Sequence, residues 1–193
     1  SLPIQYNYDT DYGVDDEGTK HLVNVQPVIP FSISENWNVI SRTIVPLVSQ
    51  SDIPSGNDTS GVGDIVQSLF FSPKAPTASG WIWGVGPVLL IPVSSDDALS
   101  GRKWGAGPTG VFLKQEGPWT VGLLANHIWS FAGDDDHADI STTFLQPFCS
   151  HLFKKTFTTV ALNTETTYSW EAEESSEAWS VPSPSRYSPR AGS

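Results

Sequence analysis

The chain has 193 residues, with 10 Lys+Arg against 21 Asp+Glu for a formal net charge of -11, and only 16% charged residues beside 38% hydrophobic ones. That length buries a core without disulfides or metal and suits one domain; the charge deficit and the aromatics argue against wholesale disorder, and the acidic balance argues against binding nucleic acid. No run approaches the roughly 18 to 20 apolar residues of a spanning helix, and no cationic start followed by an apolar stretch marks a signal peptide.

Helical periodicity is almost absent, and 16 Gly and 15 Pro punctuate the chain too often for long helices. Stretches rich in Val, Ile, Thr, Trp and Phe predict about eight strands. In chain order they are Lys20–Ile33, Trp37–Gln50, Gly61–Ser72, Trp81–Val93, Lys103–Gln115, Trp119–Ala132, Asp139–Leu152 and Lys154–Tyr168, with a weak ninth near Trp170. Most exceed the five or six residues of an average globular strand and match the 9 to 11 of a tilted membrane-crossing strand. The expected division is a polar N-terminal segment at 1–19, a β-barrel domain at 20–170 and a disordered Ser/Glu/Pro tail at 171–193.

The connections alternate. Short ones fall at Ser34–Asn36, Glu116–Pro118 and near Phe153; longer polar ones at Ser51–Ser60, Ser94–Arg102 and Gly133–Ala138, with Pro73–Gly80 breaking the rule. Short turns at one end and longer loops at the other are the mark of an up-and-down barrel. Asp52, Asp58, Asp96, Asp97, Asp134, Asp135 and Asp136 would make one rim acidic.

Within strands the faces alternate. Trp119, Val121, Leu123, Ala125, His127, Trp129 and Phe131 share one face, and Thr120, Gly122, Leu124, Asn126, Ile128 and Ser130 the other. A barrel turns the first set to lipid; a soluble sandwich turns its apolar set inward, so alternation alone leaves both open. Trp37, Trp81, Trp83, Trp104, Trp119, Trp129 and Trp170 gather near strand ends, where interfacial girdles need them. Trp83-Gly84-Val85-Gly86-Pro87 and Trp104-Gly105-Ala106-Gly107-Pro108 form an imperfect repeat. Strand-like rather than helical sequence follows it, which excludes a nucleotide loop; alternate glycines permit strong curvature or adapt to a bulky neighbour.

Candidate chemistry is sparse. Asp134, Asp135 and Asp136, with His137 and Asp139, could bind Ca²⁺ or Mg²⁺ weakly, or form a solvated acidic loop. The four histidines show no metal-binding spacing, and no Gly-x-Ser-x-Gly elbow appears. Cys149, the sole cysteine, reads as a small hydrophobe. Asn24, Gln26, Asn126, Asn163 and Glu165 are the expected lumen-lining residues, with Arg42 facing Glu165 in a closed barrel.

Several longer stretches carry a family likeness: Trp37–Pro46, Gly63–Pro73, Trp81–Pro87, Lys103–Pro108, Gly117–Thr120, Asn126–Ser130, Ala132–Asp136 and Phe144–Phe148. Together they resemble the bacterial outer-membrane transporter-like proteins of the phenol meta-degradation pathway family, some of which are labelled neuromedin U. The likeness runs from about Lys20 to Glu173. It implies an outer-membrane β-barrel that takes up hydrophobic or aromatic compounds, and it supplies no catalytic residues. Family members begin with a signal peptide and continue past the stretch matching Trp170–Glu173, so this chain looks truncated against them.

The expectation is therefore an all-β, antiparallel up-and-down barrel of outer-membrane type, either closed or short of its full strand number. It would be a passive channel in contact with outer-membrane lipid and small hydrophobic solutes, with no cofactor, no nucleic acid and no enzymatic chemistry. The alternative is a soluble β-sandwich or lipocalin-like module for an apolar ligand. A third class, a lipid hydrolase on a barrel, would need Ser, His and an acid converging at one rim.

Overall fold

A computed structural model describes residues 2–12, 18–51, 58–96, 99–134, 136–153, 158–171, 174–180 and 185–186. Thirteen strands make one antiparallel sheet: β1 (Ile4–Tyr12), β2 (Gly18–Val25), β3 (Val28–Ser32), β4 (Trp37–Ser51), β5 (Thr59–Val62), β6 (Ile65–Pro73), β7 (Trp81–Ile91), β8 (Lys103–Glu116), β9 (Trp119–Gly133), β10 (Ser141–Phe153), β11 (Thr158–Ser169), β12 (Glu174–Ser180) and β13 (Ser185–Arg186). The path of neighbours is β1-β2-β4-β6-β7-β8-β9-β10-β11-β12. β2 and β3 lie along successive halves of β4, broken at Pro27, so the expected strand Lys20–Ile33 is one bent strand. β5 and β6 likewise share β4, broken at Gly63 and Asp64.

The sheet curls without a second layer. That rules out the sandwich alternative: Trp119, Val121, Leu123, Trp129 and Phe131 of β9 point outward and are exposed, while Leu124 and Ile128 on its other face are buried. The same parity holds on β10, where Leu145, Pro147 and Phe153 face out and Phe148 faces in. The fold is that of an outer-membrane-type β-barrel, curled so that β1 reaches β11 by side-chain contact.

Both ends of the chain depart from expectation. The segment 1–19, expected to be a polar arm, contains β1, paired from Ile4↔Val25 to Tyr12↔Gly18. Ile4, Tyr6 and Tyr8 alternate there with Gln5 and Asn7, a two-sided pattern hidden by the polar composition. The expected tail carries β12 and β13, which pair with opposite halves of β11; residues 181–184 and 187–193 lie outside the described residues. Backbone pairing needs no apolar composition, so a Ser/Glu-rich segment beside an open edge can extend the ladder.

One end carries the tight connections. β8 and β9 are joined by Gly117 and Pro118, with Gly117 at φ 61°, the glycine-first geometry of a type II′ hairpin. The opposite end carries the longer stretches 92–102 and 134–140. Pro87 and Pro108 are paired across β7 and β8, and neither supplies an N–H. The glycine before each one faces inward against neighbouring backbone: a Cβ on Gly86 would collide with the Leu69 carbonyl, and one on Gly107 with the His127 carbonyl. At both positions neighbouring strands approach too closely for any side chain.

Gly107→Ala should therefore cost at least about 1–3 kcal/mol or block folding. Gly110→Ala, whose Cβ would find ordinary contacts beginning at 3.7 Å, should stay within about 0.5 kcal/mol of the parent. Urea unfolding in detergent micelles compares the two.

Candidate functional site: the concave face and its rims

The concave face holds a hydrogen-bonded chain of long polar side chains. Arg42 on β4 donates from Nη2 to Gln26 Oε1 at 2.7 Å. Gln26, at the break between β2 and β3, donates from Nε2 to Gln5 Oε1 on β1 at 3.0 Å. Gln5 Nε2 donates to Glu165 Oε2 on β11 at 3.1 Å, and Gln146 Nε2 on β10 donates to Glu165 Oε1 at 2.6 Å. All the amides point the same way, oxygen toward the guanidinium and nitrogen toward the carboxylate. Each bond polarises the next, and the two charges are linked without direct contact.

The chain forms part of the lining of a cavity of about 500 Å³. Gln5, Gln26, Arg42, Gln146 and Asn163 supply its polar lining, while Phe70, Val111, Leu113, Leu124 and Phe148 supply much of its apolar wall. Of the residues expected inside, Gln26, Arg42 and Asn163 meet at this cavity, and Glu165 anchors the chain beside it. Asn24 and Asn126 are not among the residues lining the cavity: Asn24 pairs with Gln5 and Pro46, and Asn126 with Thr109 and Phe144. Arg42 and Glu165 are joined through two glutamines rather than face to face.

Sequence reasoning missed Gln5 and Gln146. Gln5 sat in the segment set aside as polar, where its alternation with Ile4 and Tyr6 was the available signal. Gln146 sat in an apolar run, where Phe144-x-Gln146-x-Phe148 places all three on one face.

The indoles gather in two belts on the convex face. At the short-turn end Trp37 meets Trp83 edge-on at 6.0 Å, Trp81 stacks on Phe112 at 4.2 Å, and Trp119 packs on His151 at 4.5 Å. At the other end lie Trp104, exposed beside the start of β8, Trp129 against His127 at 4.0 Å, and Trp170 against Tyr168 at 4.9 Å. Trp119 and Trp129 are 50% and 51% exposed on one strand. Their ten-residue separation spans about 33 Å at ~3.3 Å per residue, which a tilt of about 40° shortens to about 25 Å, the height of a barrel's apolar band.

The long-loop rim is held by carboxylates. Asp64, between β5 and β6, accepts from Ser100 Oγ at 2.9 Å, from the Gly101 amide at 2.9 Å and from the Ser94 amide at 3.3 Å, tying down the β7–β8 connection. Asp134 contacts Arg102 at 3.4 Å and accepts from the Asp136 amide at 3.3 Å; Asp139 pairs with the buried Lys103 at 3.2 Å. Of the expected cation ligands, Asp134 is engaged by the Asp136 amide and by Arg102, Asp135 lies outside the described residues, and no metal-competent set of three converges among the described residues. The Asp136 amide first, then Arg102, holds the Asp134 carboxyl below its usual range, and Lys103 does the same for Asp139.

No protein-family model matches the chain, and no curated protein matches it. Among solved structures it resembles an outer membrane channel from Pseudomonas putida F1 at a TM-score of 0.61 and 19% identity, over 92% of this chain and 71% of that one. The fold is shared.

Two outcomes test this geometry. Arg42→Met and Glu165→Met should each destabilise by about 1–3 kcal/mol, and the double variant should lose less than their sum, read by urea unfolding in micelles. At the rim, carboxyls with lowered values stabilise the loop fully above the unfolded Asp value of about 3.9 and lose that contribution as pH falls through their own lower values. A spin label at the exposed Ala138 should therefore stay restrained from pH 8 to 5 and loosen only below about 4. Lys103→Met should bring that loosening on at a higher pH.

Proposed function

We propose that this chain forms a passive channel of the bacterial outer membrane, or the greater part of one. It would carry small hydrophobic or aromatic solutes down their gradient, as the resemblance to the phenol meta-degradation transporter-like family implies. The observation that carries this reading is the inversion of the faces. Phe131 is 66% exposed on the convex side, while Arg42, Gln26 and Gln50 are buried within. Water rewards the opposite arrangement by about 25 cal/mol per Å² of apolar surface hidden, so an apolar exterior between two indole belts calls for a lipid solvent. None of the described residues form a helix long and apolar enough to cross a membrane.

No enzymatic role is proposed. The Ser, His and acid convergence that a hydrolase needs has no support in the contacts described above; His127 Nδ1 is taken by Thr143 at 2.7 Å on the convex face. Lipid of the outer membrane and small apolar solutes are the proposed partners, and the rim carboxylates belong to the longer-loop end, which faces outward in such barrels.

Reconstitution tests this reading. Folded into liposomes, the chain should let small uncharged solutes leak, and its Trp fluorescence should be quenched by lipids brominated along the acyl chain. A product that is monodisperse without detergent and unquenched by such lipids would instead be the soluble cup.

A further inference from the structure

We propose that the cavity on the concave face is a binding site for a small organic anion, an aryl or alkyl carboxylate, with Arg42 as its anchor. The inference rests on the channel reading above, since it names the chemistry that lodges in that interior.

Three observations converge. Arg42 is 8% exposed and spends Nη2 on Gln26, while its Nη1 has no hydrogen-bond partner among the described residues. A buried guanidinium nitrogen without an acceptor is costly, and a carboxylate is its best complement, since charge-assisted bonds are about twice as strong as neutral ones. Phe70, Leu124 and Phe148 line the same cavity and offer a surface for an apolar body. The volume of about 500 Å³ falls within the range of small-molecule sites, which hold few polar groups on mostly apolar walls.

The local charges favour an anion over a cation. Glu165 is the nearest acid in the chain of bonds, and both its oxygens are occupied, by Gln5 and Gln146. Through Gln5 and Gln26 it holds the amide oxygen of Gln26 on Arg42 Nη2, which makes it a positioning residue for the guanidinium fork. The rim carboxylates Asp64, Asp134 and Asp139 sit at the long-loop end with their own donors. Ile40, Leu113 and Ser150 extend the cavity toward the short-turn end instead.

The full chain, folded in detergent micelles, is dialysed to equilibrium against labelled benzoate or its uncharged counterpart benzyl alcohol. Benzoate should be held about tenfold or more tightly than the alcohol, the ratio one charge-assisted bond supplies. Arg42→Gln should erase that preference, Arg42→Lys should keep part of it, and Phe148→Ala should weaken both probes alike. Circular dichroism confirms that each variant is folded, and the wild-type preference needs no variant. Equal retention of the two probes by the wild type, or undiminished benzoate retention by a folded Arg42→Gln, would overturn the proposal. Liposome leakage run in parallel separates the two readings. Leaky liposomes without benzoate preference sink the anion site and leave the channel; Arg42-dependent benzoate binding in tight liposomes does the reverse.

Discussion

The two ends of the strand path, β1 and β12, lie side by side with no backbone ladder between them among the described residues, and side chains carry the connection. β1 pairs with β2 on one side, β11 pairs with β10, β12 and β13, and Gln5–Glu165 bridges the gap across the interior. An unpaired strand edge is expensive in hydrocarbon, where each N–H and C=O costs several kcal/mol, of the order expected without water. A polar chain running from Arg42 through Gln26 and Gln5 to Glu165 links β4, β1 and β11 across the interior. The cavity, its orphan nitrogen and the inward placement of the glutamines all follow from that connection.

The rest of the molecule presents two kinds of surface, an apolar convex one and a more polar concave one. Side chains alternate with period two, so each strand can offer one face to each environment. The convex set is aliphatic and aromatic, ending in indoles whose N–H can seek polar company: Trp170 Nε1 donates to Thr143 at 2.9 Å. The pattern tolerates local exceptions when they satisfy themselves. Gln67 on β6 faces the same side as Ser41 and Thr43, and bonds to both at 2.9 and 2.6 Å, so no free amide is left outside. Thr143 likewise accepts Trp170 while contacting His127.

The two ends differ in how they are built. Short turns rely on backbone geometry, as at Gly117. The long-loop end relies on charge, with Asp64, Asp134 and Asp139 each tying a connection to a neighbouring strand. Asp134, which the sequence presents as part of a diffuse acidic rim, is thus an individual fastener.

Most strands, and which residues of each share an apolar face, were legible in the sequence, because a two-residue period is a local property. Residues such as Trp119, Leu123 and Trp129 declare their common face by spacing alone. What spacing could not supply was the identity of partners far apart in the chain. Gln5 and Glu165 are 160 positions apart, and nothing local says that they touch. β1 and β12 were hidden for a related reason: their composition is polar, and they become strands only because an edge is there to pair with. The sequence alone determined which face of each strand is oily. Only the tertiary structure decided how far the sheet curls, and with it which polar side chains meet inside, because curvature sums small twists and Gly–Pro contacts over many strands.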